Sequence, residues 1–126
     1  MKLGEVPADV RRFILTSVPS VPFLEAVLLL RGEPSHGWDG ALLARRLYVP
    51  ERTAHELMAL LAQSGITAPA AAGAGVRYAP LPELAAVLDR VAAAYAADLV
   101  AITDLIHSRI DKRAQRFADA FRFRKE

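Results

Sequence analysis

The sequence predicts a mostly α-helical chain with one small β-hairpin, and two observations carry that expectation. Apolar residues recur at helical spacing up to residue 64, the pattern changes to short strand-like pieces between residues 66 and 78, and helical spacing then resumes toward the C-terminus. Proline opens or interrupts the helical segments at Pro7, Pro22, Pro50, Pro80 and Pro82, and glycine closes one at Gly65.

Pro7, with a fixed φ and no amide donor to satisfy, suits the start of a helix over residues 7–17, where Val10, Phe13, Ile14 and Val18 keep roughly helical spacing. The segment Ser17-Val18-Pro19-Ser20-Val21-Pro22 breaks it. Pro22 opens a second helix whose run Phe23, Leu24, Ala26, Val27, Leu28, Leu29 and Leu30 is apolar almost all round, the pattern of a helix central to the core. Residues 32–37 form a loop, and Asp39 can cap a helix over residues 40–47. Leu42, Leu43 and Leu47 supply its buried stripe. After the connection Tyr48-Val49, Pro50 opens a helix over residues 50–64 whose buried side carries Ala54, Leu57, Met58, Leu60 and Leu61. Gly65 is the C-terminal glycine with φ > 0.

Ile66-Thr67 and Val76-Arg77-Tyr78 are strand-like and flank residues 68–75, a loop of Ala, Gly and one Pro. A helix is expected from about Leu81 to residue 108, because Leu84, Leu88, Val91, Tyr95, Leu99, Ile102 and Leu105 or Ile106 follow close to a 3.5-residue repeat. A short basic amphipathic helix over residues 111–123 puts Ala114, Phe117, Ala118 and Phe121 on one face. The chain divides on this reading into residues 1–80 and a helical arm with a basic tail, residues 81–126.

Composition narrows the function. The 126 residues fit one domain with a modest core. The longest apolar-looking stretch is interrupted by Pro19, Pro22 and Glu25, so no run reaches the roughly 20 residues of a spanning helix. Glu5, Asp9, Arg11 and Arg12 stand where a signal peptide needs an apolar run, so a cytoplasmic protein without a membrane partner is expected. With no cysteine, disulfides, thiolate catalysis and Cys-ligated zinc are excluded. His36, His55 and His107 have no histidine or cysteine at i,i+4 to build a metal site. Gly73-Ala74-Gly75 lacks the third glycine and the βαβ setting of a phosphate loop, and no nucleophile motif is present. Neither an enzyme nor a cofactor is expected. The formal charge is +2, but from Arg109 to Glu126 seven Lys or Arg stand against three acids, so the base is concentrated at the C-terminus.

Helix, helix, short turn, helix and hairpin, in that order, is the connectivity of a winged helix domain. The stretch Ala41-Leu42-Leu43-Ala44-Arg45-Arg46-Leu47-Tyr48-Val49-Pro50-Glu51-Arg52-Thr53-Ala54-His55-Glu56-Leu57 resembles bacterial winged helix-turn-helix regulators such as the MarR, ArsR and PadR groups. A small Ala where the two helices cross, Leu47 and Val49 bracketing the turn, and the Leu-rich ending from Leu57 to Ile66 carry the likeness, which covers roughly residues 22–80. The resemblance implies that the helix 50–64 enters the major groove with its N-terminal, outward side chains on base edges. Arg52, Thr53, His55 and Glu56 occupy those positions, with Gln63 further along. Arg52 could contact guanine, and Thr53 a phosphate or a thymine methyl. Arg45 and Arg46 on the preceding helix, and Arg77 on the wing, could reach the phosphate backbone.

Physical departures from that pattern set up an alternative. Glu51 and Glu56 put two carboxylates on the proposed reading helix, and residues 68–75 carry no charge. Four Arg against three acids leave residues 38–80 at +1, too little for tight duplex binding unless dimerisation or the tail contributes. Tyr48 stands where glycine is common, so a widened turn is expected. Trp38, ahead of a capped helix, is expected to wedge between helices. The long helix either forms a dimer seam through Leu88, Val91, Tyr95, Leu99 and Ile102, or folds back over the Phe13 and Ile14 helix; Asp98 interrupts its pattern. The tail, with Arg113, Arg116, Phe117, Phe121, Arg122 and Arg124, either grips phosphates or an acidic protein surface, or packs its Phe face on the core. The leading expectation is a homodimeric regulator bound to double-stranded DNA. The alternative is a winged helix adaptor that docks on an acidic partner through the tail.

Overall fold

Local hydrogen bonds fix where the helices begin. Phe23 N–H donates to Ser20 Oγ at 3.2 Å, so α2 (Val21–Gly32) starts one residue ahead of Pro22. Leu42 N–H donates to Asp39 Oδ1 at 2.8 Å and caps α3 (Gly40–Leu47) as expected. α1 spans Ala8–Ser17 behind Pro7, and α4 spans Glu51–Gln63 behind Pro50, each proline preceding its helix without a side-chain cap. Gly65 takes φ 75° just after α4. These elements belong to a computed structural model that describes residues 6–124, without the side chains of residues 72, 113, 114, 117 and 119–124.

The strands β1 (Thr67–Pro69) and β2 (Val76–Tyr78) pair antiparallel with Thr67 opposite Tyr78, Ala68 opposite Arg77 and Pro69 opposite Val76. A 3-10 turn over Ala71–Gly73 fills the loop between them. A third backbone segment joins this sheet. Trp38 N–H donates to the Val76 carbonyl at 2.7 Å and Val76 N–H to the Trp38 carbonyl at 2.8 Å, which ties the hairpin to the start of α3. Among the described residues the chain is thus mostly helical with a small two-stranded antiparallel sheet.

α2 lies at the centre of the core, as its uninterrupted apolar run requires: Phe23, Leu24, Ala26, Val27 and Leu30 are all buried. Trp38 is fully buried and anchors the loop between α2 and α3. Ala54, Leu57 and Leu61 turn one face of α4 into the same cluster.

The C-terminal half corrects the sequence reading. No single helix runs over residues 81–108; α5 (Pro82–Ala97) ends at Asp98, and α6 (Leu99–Arg124) begins directly after it. Ala101 N–H donates to Asp98 Oδ1 at 3.0 Å, so the residue that interrupts the apolar repeat acts as a helix cap. The separate tail helix expected over residues 111–123 is part of α6. Leu88, Val91 and Ile102, expected on a dimer seam, are fully buried in the chain's own core together with Ile106, Val10 and Ile14. Tyr95 is half-buried against that cluster, and Leu99 is exposed. The apolar periodicity correctly marks a buried face, but α1 covers that face within one chain. Among the described residues, no single helix is long and apolar enough to cross a membrane.

Candidate nucleic-acid interface

α3 and α4 are joined by Tyr48, Val49 and Pro50 alone. Tyr48 adopts the left-handed conformation (φ 58°, ψ 45°), normally glycine's territory, with its side chain 93% exposed. Val49 N–H donates to the Ala44 carbonyl at 3.1 Å and closes the turn. The tyrosine is accommodated by this strained left-handed backbone conformation.

α4 packs inward through Ala54, Leu57 and Leu61 and leaves Glu51, Arg52, His55, Glu56, Ala59 and Gln63 facing outward. Thr53 is half-buried. Arg52 is almost wholly exposed, and its Nε lies 3.6 Å from Glu56 Oε1, one helical turn along. His55 has a packing role that the sequence did not reveal. Its ring lies against Gly40 at the start of α3, where a Cβ would overlap it. The one available signal was the small residue directly after the cap Asp39, the kind of position where two backbones approach closely.

Arg46 is similarly engaged. Its Nη2 lies 3.1 Å from Glu33 Oε2, and its guanidinium sits 5.4 Å from the Trp38 ring centroid, with the His36 ring edge-on at 5.0 Å. Arg45 on α3 and Arg77 on β2 are exposed, and neither makes an ion pair among the described residues. Of the arginines expected at phosphates or bases, the structure therefore leaves Arg45 and Arg77 open and ties Arg46 and Arg52 to carboxylates.

At the other end, Arg116 is exposed on α6, while the side chains of Arg113, Phe117, Phe121, Arg122 and Arg124 lie outside the described residues. Near the base of this segment, Phe13, Phe23, Leu60, Leu84 and Arg109 line a surface groove shared by α1, α2, α4, α5 and α6. Arg109 Nη2 donates to the Thr16 carbonyl at 3.5 Å on its rim. Shifted titrations fall away from α4. The Arg90 guanidinium hydrogen-bonded to Asp9 holds that carboxyl below its usual range, and burial pushes the Tyr78 hydroxyl up. Among the described residues no group of three His, Asp or Glu side chains is arranged to hold a metal ion. Comparison with protein-family models, curated proteins and solved structures finds no match to this chain.

Proposed function

We propose that α2, α3, α4 and the hairpin form a winged helix-turn-helix, and that the protein is a homodimeric transcriptional regulator binding double-stranded DNA in the cytoplasm. The observation that carries this reading is the setting of α4. It follows α3 through a three-residue turn, buries one face, and leaves the N-terminal part of its other face outward, beside a hairpin pinned to α3 by the Trp38–Val76 pair. In this reading Arg45 and Arg77 hold phosphates on either side of α4, and Arg52 reaches a base edge once released from Glu56.

Fluorescence anisotropy of the full chain with pooled duplexes, taken across a salt series, tests the proposal. Salt-sensitive binding weakened by Arg45→Ala and by Arg77→Ala is expected. Binding that survives both substitutions unchanged removes this face from the mechanism.

The ion pairs favour a second reading. With Arg52 held by Glu56, Arg46 held by Glu33, and residues 68–75 uncharged, the same fold suits an adaptor that captures an acidic protein through α6. Absence of duplex binding at low salt by folded protein selects that reading.

A further inference from the structure

Among the described residues, Tyr48 alone carries a side chain at positive φ, a backbone state that glycine takes freely and a β-carbon resists. The turn needs that conformation, because it lets the Tyr48 N–H reach the Ala44 carbonyl at the end of α3, but it does not need a tyrosine. Packing does not repay the strain. The ring stands almost wholly in water, and its hydroxyl makes no hydrogen bond to any described residue. Strained conformations that the fold does not use are found where a surface meets a ligand. The position of the turn indicates which ligand. Tyr48 stands three residues before Glu51, the first residue of α4, so at most about 10–11 Å of extended chain separates them. The major groove is about 12 Å wide, and its walls are sugar and phosphate. With the N-terminal part of α4 in that groove, the residues just before it reach the wall. Arg45, exposed and in no ion pair among the described residues, stands three residues earlier on the last turn of α3.

We propose that Tyr48 is a phosphate contact of the DNA-binding face: its hydroxyl donates a hydrogen bond to a phosphate oxygen on the wall of the groove that α4 enters. The inference rests on the DNA reading of the proposed function and adds an uncharged donor to the cations named there. Arg46 and Arg52 must each leave a carboxylate before they meet a phosphate, whereas the Tyr48 hydroxyl gives up only water. The contact positions the domain without reading sequence, since every duplex presents the same phosphates. Because the donor is uncharged, it adds affinity without adding to the counterions that binding releases.

The test is fluorescence anisotropy of the full chain with two duplexes of unrelated sequence, each across a salt series, for the native protein, Tyr48→Phe and Tyr48→Gly. Tyr48→Phe removes the hydroxyl and nothing else. It is expected to weaken binding about tenfold, by the same factor on both duplexes, with the slope of log K against log salt unchanged. Tyr48→Gly relieves the turn and is expected to lose at least as much affinity while the folded chain gains stability in urea. Weaker binding by a more stable protein separates a lost contact from a damaged fold. Native affinity in Tyr48→Phe overturns the contact and leaves the DNA reading standing. A loss that differs between the two duplexes, or a slope that falls in Tyr48→Phe, also overturns it, because the hydroxyl then acts on a base or through a neighbouring cation. A folded native chain that binds neither duplex at low salt overturns the DNA reading and this contact together.

Discussion

Gly75→Ala tests whether the hairpin is held to α3 by the close approach seen at Trp38. Gly75 has φ 85°, and a Cβ built there overlaps the Trp38 carbonyl, the group that accepts the Val76 amide hydrogen bond at 2.8 Å. Two penalties combine. An alanine at positive φ costs about 1–2 kcal/mol, reduced by roughly 0.4–1 kcal/mol because alanine narrows the unfolded ensemble. Relieving the overlap requires the Trp38–Val76 pair to separate, and its two hydrogen bonds contribute about 0.5–1.5 kcal/mol each. The expected destabilisation is about 2–4 kcal/mol. Gly73→Ala is the matched control: φ is 71°, but no atom lies within 4 Å of the added Cβ, so only the conformational penalty applies, about 1 kcal/mol. Urea unfolding followed by the fluorescence of Trp38, the single and fully buried tryptophan, measures both. Equal costs for the two substitutions refute the close-approach argument, because they leave nothing for the carbonyl contact to explain.

Tyr48→Gly removes left-handed strain from a side chain that is 93% exposed; a net gain of about 0.5–1 kcal/mol is expected in the same urea assay, and unchanged or lower stability refutes it. Glu56→Gln frees Arg52 and deletes a carboxylate from the outer face of α4, so duplex affinity rises and the slope of log K against log salt steepens by about 0.9, the value for one added phosphate contact. An unchanged slope removes Arg52 from the interface. Because the Asp9 pKa is depressed in the folded chain, its contribution to stability is present above the ordinary carboxylate value and is lost as pH falls through the lowered one. Arg90→Ala should return the Asp9 carboxyl resonance to an ordinary titration, and a midpoint that does not move shows that Arg90 is not the cause.

The helices before residue 66 were legible because local signals agree there: Asp39 caps, Gly65 terminates, and the all-apolar run after Pro22 has nowhere to go but the core. The break at Asp98 was visible only as an interruption. One aspartate in an alanine-rich run is compatible with a continuous helix or with a cap, and the choice depends on whether α6 finds a surface on which to fold back. That surface is α1, some ninety residues away in sequence. Periodicity therefore identified Leu88, Val91 and Ile102 as buried without identifying what buries them. The interface divides in the same way. Arg52–Glu56 is an i,i+4 pair that sequence spacing announces, whereas Arg46–Glu33 and His55 on Gly40 depend on how the α2–α3 loop and α4 come to rest against α3.

Those pairs also decide how the charge of this face should be counted. The chain carries +2, and the last eighteen residues account for +4, so residues 1–108 have a formal charge of −2. A surface ion pair is weak enough for a phosphate to displace it, but the released carboxylate stays beside the phosphate and cancels part of the gain. Arg46 and Arg52 each bring such an acid; among the described residues Arg45 and Arg77 do not. If α4 and the hairpin provide the binding face, Arg45→Ala with Arg77→Ala should reduce the salt slope by about 1.8 per domain, at 0.9 for each phosphate lost. If the affinity comes instead from the basic end of α6, that double substitution leaves the slope nearly intact, and replacing Lys112 and Arg116 by Gln lowers it. The same salt series thus tells recognition by α4 apart from nonspecific attraction by the C-terminal helix, a distinction that the dissociation constant at any single salt concentration does not make.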